Sequence, residues 1–363
     1  MRGTFAIRDG HDNGFTALRT LMALAVMVGH AMIIAARDLS AEPVIYGGYS
    51  ISYMAVNAFF VVSGFLVTAS MMHRRGLLDF AVARGLRIYP ALVVHVAGVA
   101  LVVGLANTTL PAGRYLADPE VWLQFPRVLS FVNTDMFLPG VFESNHERYA
   151  SAPLWTLRFE MLAYVGTALA FAVGAMRTRA LIGAQFGLAC LAWVGVQMWG
   201  GLSELPSSVQ NVFRFALPYG LGAFLWAWRE DLPLRVWAIP LLALAAVVSA
   251  GSVLGEITMN IAVGYAVFWL AYARLRGLDR FAGGSDISYG VYIWHWPILQ
   301  WIEAKAPGLG VGQMMGIALP ATLAVALLSW RWVEKPMLAR KGEVARWLRE
   351  RGRRAKARRV HQG

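Results

Sequence analysis

Arg19-Thr-Leu-Met-Ala-Leu-Ala-Val-Met-Val-Gly-His30 sets two ionisable residues eleven positions apart in an otherwise apolar run. An α-helix turns about 100° per residue, so eleven steps make three turns plus roughly 20° and leave both side chains on one face. They are then roughly 16 Å apart along the axis, about half of a 30 Å hydrocarbon layer. A cation at one membrane surface thus lies below a titratable imidazole near the midplane. Burying such a group in lipid is costly, which makes it a functional candidate by default.

The rest of the chain fits that reading. It is 58% hydrophobic and only 15% charged, against about a quarter charged in an average soluble domain, and its mean hydropathy is +0.52. Apolar stretches long enough to span a bilayer recur at about 17–36, 55–73, 85–106, 153–176, 180–200, 209–228, 236–253, 257–273, 287–304 and 312–332. They predict an all-α, polytopic bundle of about ten transmembrane helices over 1–335, followed by a basic cytoplasmic tail, 336–363. The formal charge of +12 first suggests nucleic acid. Lys and Arg, however, concentrate in alternate connections, as they do when both termini are cytoplasmic, so the basicity marks topology and nucleic acid is not an expected partner. Tail residues from Lys341 to Arg359 are expected to meet anionic lipid. The single cysteine, Cys190, falls mid-span; it offers no disulfide framework, and no metal site is expected.

Four further stretches carry candidate chemistry. Arg84-Gly-Leu-Arg87 puts two guanidinium groups on one helix face at the inner end of the third span, suited to bidentate phosphate contacts; with Arg19 they form a basic mouth for an anionic cofactor. A flank that only marks topology is the alternative. Leu154-Trp155-Thr-Leu-Arg158-Phe-Glu160 opens the fourth span and puts two charges near its outer end. Glu160 is a candidate to orient His30 or to bind a sugar hydroxyl, or else it belongs to a structural ion pair with Arg214. Ser63-Gly64 reads as helix packing or as a place where a ligand approaches closely. In Asp286-Ile-Ser-Tyr289-Gly-Val-Tyr292-Ile-Trp294-His295-Trp296-Pro297, Ser285 or Asp286 caps the helix, and the Trp294/Trp296 pair around His295 lines a glycan-binding or acyl tunnel or else packs. The outer segment 107–152 holds Trp122, Phe125, Phe131 and Phe137, an interfacial anchor or an acceptor-facing surface.

In this order the pieces resemble the acyltransferase-3 family of integral membrane acyltransferases: Arg19-x10-His30, Phe59-Phe60-Val-Val-Ser63-Gly64-Phe65, Arg84-x-x-Arg87 with Ile88-Tyr89-Pro90, Leu154-Trp155-Thr156-Leu157-x-x-Glu160, Ser288-Tyr289-x-x-Tyr292-x-Trp294-His295, and Trp332-Val333-Glu334-Lys335-Pro336 closing the last span. The resemblance implies a bacterial inner-membrane enzyme that takes an acyl group, acetyl in the first instance, from cytoplasmic acyl-CoA. It delivers that group to a hydroxyl of a glycan or lipid-linked sugar on the other side. By the same likeness His30 is the essential imidazole and Arg19, Arg84 and Arg87 contact the donor. On that reading His30 is the general base and Glu160 its companion, with Ser63, Trp155, Tyr292 and His295 toward substrate. A flippase or exporter of glycolipids is the rival; it needs buried charges too, but no cytoplasmic arginine cluster aligned with a histidine.

Overall fold

The computed structural model describes residues 3–4, 14–74, 76–273 and 285–360. Among the described residues the regular structure is helical apart from two short antiparallel ladders, β1 (Gly3–Thr4) with β4 (Pro233–Leu234) and β2 (Val44–Tyr46) with β3 (Tyr49–Ser50). The first helices are α1 (Phe15–Ala36), α2 (Ile51–Arg74) and α3 (Leu77–Gly98), which runs on through a π turn (Val99–Val103) into α4 (Gly104–Asn107). Two short helices follow, α5 (Ala112–Ala117) and α6 (Pro119–Leu129). Then come α7 (Trp155–Ala172), α8 (Arg179–Trp199), α9 (Ser207–Ala227), α10 (Ala238–Ser249) and α11 (Gly255–Tyr272). The last are α12 (Ser288–Lys305), α13 (Val311–Ser329) with a π turn (Trp330–Glu334) into α14 (Lys335–Ala339), and α15 (Lys341–Val360).

A helix lies on each of the ten apolar stretches. Among the described residues five are long and apolar enough to cross a membrane: α1, α2, Leu77–Asn107, α8 and Val311–Ala339. Arg158, Glu160, Arg214, Gln300 and Glu303 dilute the apolarity of α7, α9 and α12, and α10 has only 12 residues. The surface tells the same story from outside. Leu188, Leu191 and Met198 of α8 and Leu241, Leu244 and Val248 of α10 are exposed. In water such faces invite aggregation; against lipid tails they are already solvated. The molecule is a polytopic membrane bundle.

Two local features decide how tightly the helices meet. A Cβ built on Gly64 of α2 would lie 2.0 Å from the Tyr219 carbonyl oxygen of α9, and one on Gly222 of α9 the same 2.0 Å from that of Val61. The two backbones touch where each helix has no side chain, the small-residue device that lets membrane helices approach closely. The π turn after α3 frees a carbonyl from the helical ladder. Tyr115 of α5 fills the vacancy, donating from its hydroxyl to the Ala100 oxygen at 2.6 Å, and it fits because Gly104 presents no Cβ there.

The segment before α7 packs down one side of α12. From Asn145 to Thr156 its partners step down α12. Asn145 bonds the Gln300 side chain at 3.0 Å, the Tyr149 carbonyl accepts from Trp296 at 2.8 Å, and Thr156 meets the Tyr292 hydroxyl at 2.7 Å. Eight residues of helix correspond to about 12 Å of descent. The chain therefore enters the bundle before α7 begins, and Glu160, expected near the outer end, starts from deep inside.

The tail forms a helix, α15, along α3. Arg349 pairs with Asp79 of α3 at 2.9 Å, and Arg351 stands 4.7 Å over the exposed Trp347 ring. Side chains beyond Arg354, Arg358 and Arg359 among them, lie outside the described residues.

Candidate active site

Both ends of the opening motif reach the same neighbour. Arg19 donates to Asp286, just before α12, at 2.7 Å, and the Nδ1 of His30 lies 2.8 Å from the Nε2 of His295 on that helix. The one-face geometry is thus read out directly against α12, which runs alongside α1. His295 is wholly buried, and its Nδ1 is bonded at 3.0 Å to the Val291 carbonyl one turn earlier. His30 is half-buried, with the edge of Trp296 against it at 5.0 Å between ring centres.

The arginines divide into two kinds. Asp286 accepts from Arg19 and also from Arg87, at 2.8 Å, and Arg87 faces Glu334 at 3.5 Å. Ser329 bonds the other Glu334 oxygen at 3.0 Å. Burial would raise the Asp286 carboxyl, but Arg19, Arg87 and the bonds from Ser288 outweigh it and hold it down at about 2. A depressed carboxylate stabilises the fold above its unfolded value, and the contribution is lost only as pH falls through the folded one. The bridge therefore stays charged across the physiological range. Arg84 differs. Among the described residues no carboxylate lies within 4.0 Å of it. Its Nη2 is 3.5 Å from the Ser70 hydroxyl, its Cζ is 5.6 Å from the Tyr164 ring, and its Nε has no hydrogen-bond partner among the described residues. Three donor-facing arginines were expected; two are paired with carboxylates, and Arg84 has none within reach among the described residues.

A cavity opens between these groups, lined by Arg19, Arg84, Arg87, Ser63, Glu160 and Tyr292 among others. It brings together residues from α1, α2, α3, α7 and α12. Ser63 faces the cavity while Gly64 makes the backbone contact with α9, so the two halves of that dipeptide serve different ends. Glu160 accepts from the Tyr164 hydroxyl and does not touch His30; the partner of His30 is His295. Tyr292, one of the lining residues, has its ring centre 6.1 Å from that of His295. Neither His30, His295 nor Trp155 belongs to the lining. Trp155 packs instead on Phe215 and Phe159, at 5.6 and 5.8 Å.

Sequence reasoning missed the carboxylates that hold the arginines. Glu334 stood in plain view in the motif closing the last span, and Asp286 was read only as a helix cap. It also missed the partner of Arg214, which is not Glu160. Arg214 bonds Asn57 at 3.2 Å and lies 3.6 Å over the Tyr53 ring. Asn57 and Tyr53 in turn donate to the buried Glu256, at 2.8 and 3.0 Å. Long side chains from α2, α9 and α11 meet there, and one-dimensional spacing cannot show which helices adjoin. Among the described residues no group of three or more His, Cys, Asp or Glu is placed to hold a metal ion.

The model of an acyltransferase domain, that of the acyltransferase-3 family, matches residues 12–331. An O-acetyl transferase of Shigella phage Sf6 is 26% identical over 343 residues, covering 91% of this chain and 97% of the relative. Nodulation protein 10 of Rhizobium leguminosarum bv. viciae is 27% identical over 382 aligned positions, covering 94% and 97%. No solved structure matches significantly. With a match that runs from before α1 to the π turn after α13, the chain belongs to the acyltransferase-3 family of membrane acyltransferases.

Proposed function

We propose that this enzyme moves an acyl group, acetyl in the first instance, from cytoplasmic acyl-CoA to a hydroxyl of a bacterial envelope glycan or lipid-linked sugar, across the inner membrane. The observation that carries the reading is the cavity itself. Arg84, with no carboxylate within 4.0 Å among the described residues, lines it, and so does Tyr292, which adjoins His295 of the His30–His295 pair. Donor phosphates fit Arg84, because charge-assisted bonds to a planar guanidinium are strong and directional. The thioester then extends past Ser63 toward His30, and the imidazole takes the hydroxyl proton as the acceptor oxygen attacks the thioester carbonyl. The phage relative's description as an O-acetyl transferase supports acetyl as the group and oxygen as the acceptor atom.

Labelled acetyl-CoA supplied to inverted membrane vesicles tests this: label should enter the envelope glycan fraction only when the protein is present. Arg84→Ala should raise the donor KM about tenfold or more with kcat largely kept, since one charge-assisted contact contributes about 1.5–3 kcal/mol. An unchanged donor KM would reduce Arg84 to a topology marker. The bundle is proposed to cross the bilayer ten times with both termini in the cytoplasm. Reporter fusions after residues 130 and 178 should then face opposite sides, and a shared side would break that count.

A further inference from the structure

Val291, His295 and His30 form a chain of hydrogen bonds with one direction. A carbonyl oxygen can only accept, so the bond from His295 Nδ1 to the Val291 oxygen, at 3.0 Å, puts the His295 proton on Nδ1. Its Nε2 then carries the lone pair. The 2.8 Å contact from that nitrogen to His30 Nδ1 requires His30 to be the donor. A neutral His30 with its proton on Nδ1 has its lone pair on Nε2, and which nitrogen of an imidazole is basic is set by the bond the other makes.

The ring geometry supports a directed bond over loose packing. The ring centres are 5.1 Å apart and the planes differ by 18°. Two imidazoles reach that separation at this nitrogen contact when the bonded nitrogens lie on the line between ring centres, so the lone pair of one points along the N–H of the other. His295 cannot turn away, being wholly buried within α12. The other titratable groups nearby are engaged elsewhere: Glu160 with Tyr164, and His95 of α3 with Ser151 at 2.9 Å.

We infer that His295 is a positioning residue that fixes the tautomer of His30 and so makes His30 Nε2 the proton-accepting atom. The inference rests on His30 being the base in the reaction proposed above. As the acceptor O–H bond breaks, its proton passes to His30 Nε2 while the oxygen bonds the thioester carbon. When the tetrahedral adduct collapses, the C–S bond breaks and the same proton goes from Nε2 to the coenzyme A sulfur. Throughout, Nδ1–H stays donated to His295, which holds the ring in place in both protonation states.

Two amide replacements separate this role from packing. In His295→Gln the longer side chain keeps an acceptor oxygen at the position of Nε2, whereas in His295→Asn the shorter amide can satisfy Val291 but falls short of His30. With the full chain in membrane vesicles and labelled acetyl-CoA, Gln should keep kcat within about tenfold of the parent. Asn should lose about a thousandfold, the scale of a misplaced general base or a wrong tautomer. Donor KM should hold in both. Equal kcat in the two variants, or a change confined to acceptor KM, would overturn the assignment. A parent protein that transfers no label at all would instead overturn the proposed reaction.

Discussion

Alanine at position 30 should leave the bundle assembled and reduce acyl transfer by about a thousandfold or more, the upper range for loss of a positioned general base. His30 is half-buried and packs beside Trp296 and His295, so its removal opens a small space without stranding a charge. The residual group is His295, which loses a donor yet keeps its bond to Val291. Membrane insertion, detergent extraction and donor affinity should stay at parental levels, because Arg84 lines the cavity and His30 does not. The measurement is kcat for label transfer beside the melting temperature of the purified protein. Turnover within tenfold of the parent would take His30 out of the chemistry.

The opposite signature is expected at Gly64. Alanine there places a Cβ 2.0 Å from the Tyr219 carbonyl oxygen. The obstacle is backbone, so no rotamer change relieves it, and α2 and α9 must separate. Overpacking of this kind costs typically 1–3 kcal/mol and occasionally more; a clash with main chain between two helices belongs at about 3 kcal/mol or above. Gly222→Ala, which meets the Val61 oxygen at the same 2.0 Å, should behave alike. Gly187→Ala is the control: nothing lies within 4 Å of a Cβ there, and alanine gains about 1 kcal/mol of helix propensity. Yield of monodisperse protein and its melting temperature read the effect. Gly64→Ala with parental yield and melting temperature would show that the contact is looser than it is drawn.

The contrast between these residues shows what could be read in one dimension. His30 and Arg19 were legible together because helical periodicity converts a spacing of eleven into a shared face, and lipid makes a buried imidazole conspicuous. Gly64 was recognisable as a packing residue, though not its partner. Arg87 and Arg84 looked equivalent in sequence, three residues apart on one face. They differ because Asp286 and Glu334, some 200 residues downstream or more, come to rest beside the first and not the second. Glu160 was placed near the outer surface by counting from the start of α7, a count that fails once the preceding segment enters the bundle.

Hydrophobic length and periodicity are local properties, so the chain alone determined the helical membrane architecture, a helix on each apolar stretch, the alignment of Arg19 with His30, and the ordered motifs that mark the family. Which cations are neutralised and which stays open is not local. Neither is the pairing of His30 with His295, nor the descent of residues 145–156 along α12. Each depends on a carboxylate, an imidazole or a carbonyl supplied by a helix remote in sequence, and a buried polar group takes whichever partner the packing brings within about 3 Å. Tertiary structure made that choice.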